Sequence, residues 1–130
     1  MRFRSRSLRI LAVAALAAGG LTAGGSATTA TAAAASCYGS AKTISSTDDN
    51  GRWPITGYVY ATSACNDINV KVTGQNTVET CFVPSSGSVY CNGGHDVYAN
   101  TWGVAATDVK DGTKFYLKFW SGNAHGVAAY

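Results

Sequence analysis

Thr80-Cys81-Phe82-Val83-Pro84-Ser85-Ser86-Gly87-Ser88-Val89-Tyr90-Cys91-Asn92 carries two cysteines either side of a turn. Read as an antiparallel hairpin with Ser85-Ser86-Gly87 as its loop and Gly87 left-handed, it sets Val83 opposite Val89 and Cys81 opposite Cys91. Opposed residues of a non-hydrogen-bonded pair hold their Cβ atoms ~4.5–5.5 Å apart, which a cross-strand disulfide spans with modest adjustment. The expectation is a stapled hairpin. Three pairings are open to the cysteines Cys37, Cys65, Cys81 and Cys91, and closing Cys81–Cys91 leaves Cys37–Cys65. An even set in a short chain reads as a disulfide framework rather than a zinc site.

Working outward from the hairpin, the apolar residues recur at every second position and Gly, Asn, Asp and Ser punctuate the chain. Residues 68–73 put Ile68, Val70 and Val72 on one face and Asn69, Lys71 and Thr73 on the other. Residues 114–120 are the most regular, with Phe115, Leu117 and Phe119 against Lys114, Tyr116, Lys118 and Trp120. Further strands are expected at 41–45, 55–62, 78–83, 88–91 and 127–130, and one long strand at 97–107 with a bulge or bend at Gly103. Turns are expected at 47–51 and at Lys110-Asp111-Gly112-Thr113, with no helix after Ser36. Seven to eight short antiparallel strands with two disulfides define an all-β fold, a small immunoglobulin-like antiparallel β-sandwich, ahead of a small closed barrel.

Residues 1–35 read differently. Arg2, Arg4, Arg6 and Arg9 precede an apolar run, residues 10–24, that is too short and too rich in small residues for a permanent span. Ala33-Ala34-Ala35 then offers a cleavage site before Ser36. The expectation is a signal peptide at 1–35 and a single secreted, extracellular domain at 36–130, without a membrane anchor. That domain holds six basic against seven acidic side chains, so the positive charge of the whole chain comes from the four leader arginines. Nucleic acid is thereby excluded as an expected partner.

No catalytic set emerges. His95 and His125 are the only bases suited to neutral pH, and both sit beside glycines, where solvated loop positions are expected. No Gly-x-Ser-x-Gly turn is present, Glu79 is the only glutamate, and most aspartates fall in turns. Asp48-Asp49-Asn50-Gly51 is oxygen-rich but lacks the ligand spacing of a calcium loop, so no metal and no cofactor is expected.

Surface remains. The outer face of the last long strand, with Lys114, Tyr116, Lys118 and Trp120, is expected to bind a partner through aromatic area. Trp102 or Trp120 is the competing choice for the core tryptophan. Residues 36–45, with Ser36, Tyr38, Lys42 and Ile44, offer a second candidate: an arm that leaves the domain and pairs with a partner, or else an edge strand held by Cys37.

The plan resembles small exported proteins of filamentous actinobacteria, and two families fit it. The tendamistat-type α-amylase inhibitors share the size and two sequential bridges, and carry a Trp-Arg-Tyr triplet in a turn. The nearest stretch here is Gly51-Arg52-Trp53-Pro54, with the order changed, which would make Trp53 the inhibitory residue of a hydrolase inhibitor. The second likeness is to the small β-sandwich subunit of antibacterial umbrella toxin particles. It implies an adaptor whose partners are other secreted proteins, a lectin and the stalk of a large polymorphic toxin, with residues 36–45 as the docking segment. A small carbohydrate-binding module with Trp and Tyr platforms is a further alternative.

Overall fold

In a computed structural model the residues described are 36–46 and 49–130. The expected leader at 1–35 lies outside them, as do Thr47 and Asp48 of the expected turn. Among the described residues ten strands form two antiparallel sheets, rather than seven or eight, because Arg52–Trp53 pairs where no strand was expected and the one long strand expected at 97–107 is replaced by His95–Val97 and Trp102–Ala106.

The first sheet orders β1 (Lys42–Ser45), β10 (His125–Ala129), β4 (Ile68–Val72) and β8 (Trp102–Ala106). The second centres on β9 (Lys114–Phe119) and β5 (Asn76–Phe82). Beyond β9 lie β2 (Arg52–Trp53) and β3 (Val59–Tyr60), while β6 (Tyr90–Cys91) and β7 (His95–Val97) lie beyond β5. The inner faces supply Ile44, Ile68, Val70, Val72, Val78 and Val97, and β9 adds Phe115, Leu117 and Phe119, all buried. Period-two alternation in these strands is what lets two sheets share one apolar layer.

The hairpin forms with the expected cysteine register, although strand pairing stops before Val83 and Val89. Cys81 pairs with Cys91 and Phe82 with Tyr90, Gly87 has φ 91°, and the Cys81–Cys91 disulfide closes across the pair. The Cys37–Cys65 disulfide also forms. Two such bonds belong to an oxidising, extracellular type of environment. Among the described residues no helix is long and apolar enough to cross a membrane.

Four expectations need correction. Residues 55–62 do not make one strand: only Val59–Tyr60 of them are extended and paired, as β3, after the chain turns at Gly57 with φ 73°, and β2 lies ahead of that stretch. Residues 97–107 are not one strand either: Val97 ends β7, which pairs with β5, the chain turns through Asn100 at φ 57°, and β8 pairs with β4 in the other sheet. Gly103 is demanded by packing, since a Cβ there would lie 2.8 Å from Cγ1 of buried Val97. The register shift lies in β8 two residues further on, where Ile68 pairs with Ala106 and Asn69 with Val104, leaving Ala105 as the extra residue.

A single helical turn occupies residues 36–39, where no helix was expected. It is held by the Ser40 amide on the Ser36 carbonyl (3.1 Å), by the Ser40 hydroxyl on the Cys37 carbonyl (2.8 Å) and by the disulfide to Cys65. Finally, neither Trp102 nor Trp120 is the core tryptophan. Trp53 is, buried opposite Leu117 in the β2–β9 pair, with its ring 6.1 Å from that of Tyr130.

Candidate functional site

β9 organises the outer face of the second sheet. Its alternation buries Phe115, Leu117 and Phe119 and turns Lys114, Tyr116 and Lys118 the other way. Pairing with β2 brings Arg52 beside Lys118, and pairing with β3 brings Tyr60 beside Lys114. On the other side β5 sets Glu79 beside Lys118 and Cys81 beside Tyr116.

The Arg52 guanidinium lies over the rings of Tyr116 and Tyr58, 4.4 Å and 5.3 Å from their centroids. Its two terminal nitrogens donate to the Ile55 carbonyl (3.0 Å) and the Gly57 carbonyl (2.5 Å). One side chain therefore pins the 54–58 loop and stacks on the face beside it. The Lys114 ammonium sits 5.4 Å from the Tyr58 ring and 5.9 Å from the Tyr60 ring. Exposed cation–ring contacts contribute ~0.5–1 kcal/mol each, which biases these side chains toward the face before any partner arrives.

The face is large and open: Tyr58, Tyr60 and Trp120 are 46%, 54% and 63% exposed. Trp120 follows β9, and its ring shields the main chain at Gly94, where an added Cβ would lie 2.8 Å from ring atom Cζ2. Thr77 Cγ2 stands as near, at 2.7 Å, so a side chain at 94 would have to displace both neighbours.

At one end the face runs into a cleft of about 710 Å³, walled by Tyr60 and Lys114 from the face and by Tyr90 and Lys110 opposite. Phe82, Val83 and Pro84 give it an apolar lining. Its walls are fixed by main-chain bonds, from the Val83 amide to the Lys114 carbonyl (2.9 Å) and from the Gly112 amide to the Ala61 carbonyl (2.7 Å). A smaller cavity of about 370 Å³ borders His95 and Asn92. The Asn92 carboxamide is already engaged, accepting from the Thr80 amide (2.9 Å) and donating to the Ala105 carbonyl (2.7 Å), which ties the sheets together.

The expected partner-binding residues do not form one surface. Lys114, Tyr116, Lys118 and Trp120 share the outer face described above. Ser36 and Tyr38 belong to the helical turn, where Tyr38 stacks on Trp102 with centroids 4.5 Å apart. Lys42 is exposed on β1. Ile44, also on β1, is buried at 1% and Trp53 is buried at 8%, so neither presents a surface in this fold. Residues 42–45 are accordingly an edge strand, paired antiparallel to β10, and not a free arm.

Sequence reasoning missed Arg52, Tyr90 and Lys110 as surface partners of this group. Nothing in the sequence joined Arg52 to Tyr116, because β2 and β9 meet only through the sheet. His95 and His125 lie on strands of different sheets, β7 and β10. Glu79 lies within 4.8 Å of the sulfurs of Cys81 and Cys91, but those sulfurs are bonded to each other, leaving a lone carboxylate rather than a ligand set.

Fold and face together define a small disulfide-bridged antiparallel β-sandwich with an exposed aromatic and cationic sheet surface. Comparison with protein-family models, with curated proteins and with solved structures finds no match to this chain.

Proposed function

We propose that this chain is a non-catalytic, secreted protein-binding module, and in its sharpest form the adaptor subunit that joins a lectin to a large polymorphic toxin in an extracellular antibacterial particle. The observation that carries the reading is the exposed group of Arg52, Tyr58, Tyr60, Lys114, Tyr116 and Trp120 on one sheet face. Aromatic rings and arginine concentrate binding energy at protein interfaces because they bury large area with few rotatable bonds. Two disulfides support an extracellular setting.

The test is capture from the producing organism's culture supernatant on the tagged, disulfide-bonded domain, followed by mass spectrometry. A very large secreted toxin and a lectin are expected, with capture lost when Tyr116→Ala and Lys118→Glu are combined. Failure to capture any secreted protein, together with polymer degradation that depends on His95 or His125, overturns the proposal.

One observation favours a second reading, inhibition of a secreted hydrolase. The 54–58 loop is pinned by Arg52, and Ile55 and Tyr58 are each 46% exposed, the profile of a rigid inhibitory loop. Because Trp53 is buried, Ile55 and Tyr58 would make the contact instead. Under this reading Tyr58→Ala abolishes inhibition of a secreted α-amylase, whereas an adaptor leaves that enzyme untouched from the start.

A further inference from the structure

The cleft at the end of the aromatic face has a chemistry of its own. Two charged side chains line it, Lys110 and Lys114, both cationic, and no carboxylate does. Asp111 stands between them in sequence but is not part of the lining. Lys114 is biased toward the Tyr58 and Tyr60 rings. Phe82, Val83 and Pro84 add a continuous apolar strip, and Tyr60 and Tyr90, 54% and 60% exposed, form amphipathic rims.

We infer that this cleft takes a short acidic segment of a partner protein, with one apolar side chain seated on Phe82, Val83 and Pro84 and flanking carboxylates held by Lys110 and Lys114. The inference rests on the protein-binding reading above and deepens it. Charge complementarity selects an anionic occupant, since two ammonium groups share the cleft without a counter-charge in its lining. The apolar strip selects a peptide over an acidic saccharide. A saccharide would use the tyrosine faces and the lysines but leave Val83 and Pro84 without a matching surface. At about 710 Å³ the cleft lies within the ~300–1,000 Å³ typical of sites that enclose a small ligand or a few side chains. Its walls are preformed by the Val83–Lys114 and Gly112–Ala61 main-chain bonds and by the Cys81–Cys91 staple, so little ordering is lost on binding.

The test uses the disulfide-bonded domain, isotopically labelled, titrated with the synthetic peptide acetyl-Glu-Asp-Phe-Glu-Asp-amide, with a peptide in which lysine replaces each acid, and with oligogalacturonic acid. Chemical-shift changes at Tyr90, Lys110 and Lys114 are expected with the acidic peptide alone. Lys110→Glu, an exposed turn position that leaves folding intact, should weaken binding at least about tenfold, and added salt should weaken it further. Equal binding of the basic peptide, shifts confined to other surfaces, or binding of the saccharide in place of the peptide would each overturn the inference. Capture from culture supernatant separates it from the parent reading. If Lys110→Glu still captures the wild-type partner at full strength, the module stands and the cleft assignment falls. If the peptide binds the cleft but no secreted protein is captured, the adaptor falls and the cleft stands.

Discussion

Gly51 and Arg52 make the corner on which the exposed face depends. Gly51 is buried at φ 63°, its carbonyl accepts from the Phe119 amide (2.8 Å), and a Cβ there would run into the Phe119 carbonyl. Gly51→Ala therefore combines left-handed strain with a main-chain collision, and we expect a loss of about 2–4 kcal/mol in urea unfolding. Arg52 acts by geometry as much as by charge. A lysine at 52 keeps the charge but cannot reach two carbonyls and a ring at once. Arg52→Lys should cost about 1 kcal/mol, read as a melting temperature lower by about 4–8 °C, and should open the 54–58 loop to limited proteolysis. An unchanged cleavage pattern would show that the loop is held by something else.

At the scale of elements, the stapled hairpin and β9 were legible because their signals are local. Cysteine spacing fixed the register of β5 on β6, and alternation separated the core face of β9 from Lys114, Tyr116 and Lys118. The losses have one physical source, since a local pattern does not say which sheet a segment joins. In residues 97–107 the consecutive polar residues Asn100-Thr101 break the alternation, but nothing there says that the chain crosses from one sheet to the other. The choice of core tryptophan failed for the same reason. Trp53 is buried by the pairing of β2 with β9, a contact between segments far apart in the chain. The same distance hid Arg52 from the face, so about half of the site could be read and the rest needed the sheet.

The two disulfides also differ at this scale. Cys37–Cys65 spans 28 residues and Cys81–Cys91 spans 10. Chain-entropy arguments give roughly 3.5 kcal/mol for the longer loop and roughly 3 kcal/mol for the shorter. Replacing Cys37 and Cys65 by Ala should accordingly lower stability slightly more than replacing Cys81 and Cys91, in denaturant unfolding of the two variants. The shorter bridge should matter more for ligand capture, because it closes the hairpin that walls the cleft. A variant lacking Cys81–Cys91 that keeps full peptide affinity would contradict that assignment.

For the whole molecule, the question is what holds two sheets together as one cooperative unit. Asn92 ties them on one side, through Thr80 and Ala105. Tyr130, directly after β10 of the first sheet, ties them elsewhere, with its ring edge-on to Phe115 (5.2 Å) and Trp53 (6.1 Å) of the second. The Thr62 hydroxyl donates to the Tyr130 main-chain oxygen (2.6 Å), which fixes the segment. Burial in this setting pushes the Tyr130 phenol above its ordinary value, because the phenolate is poorly solvated there. The sign of the linkage follows. A phenol whose folded pKa exceeds its unfolded one contributes stability that is fully present below about pH 10. That contribution is lost as pH rises through the folded value, since the unfolded chain ionises first. Stability of the wild-type domain should thus fall on the alkaline side of about pH 10, and Tyr130→Phe, which keeps the ring contacts and removes the proton, should make that fall shallower. Parallel alkaline limbs for the two proteins in chemical unfolding would mean that the seal between the sheets does not depend on keeping this phenol neutral.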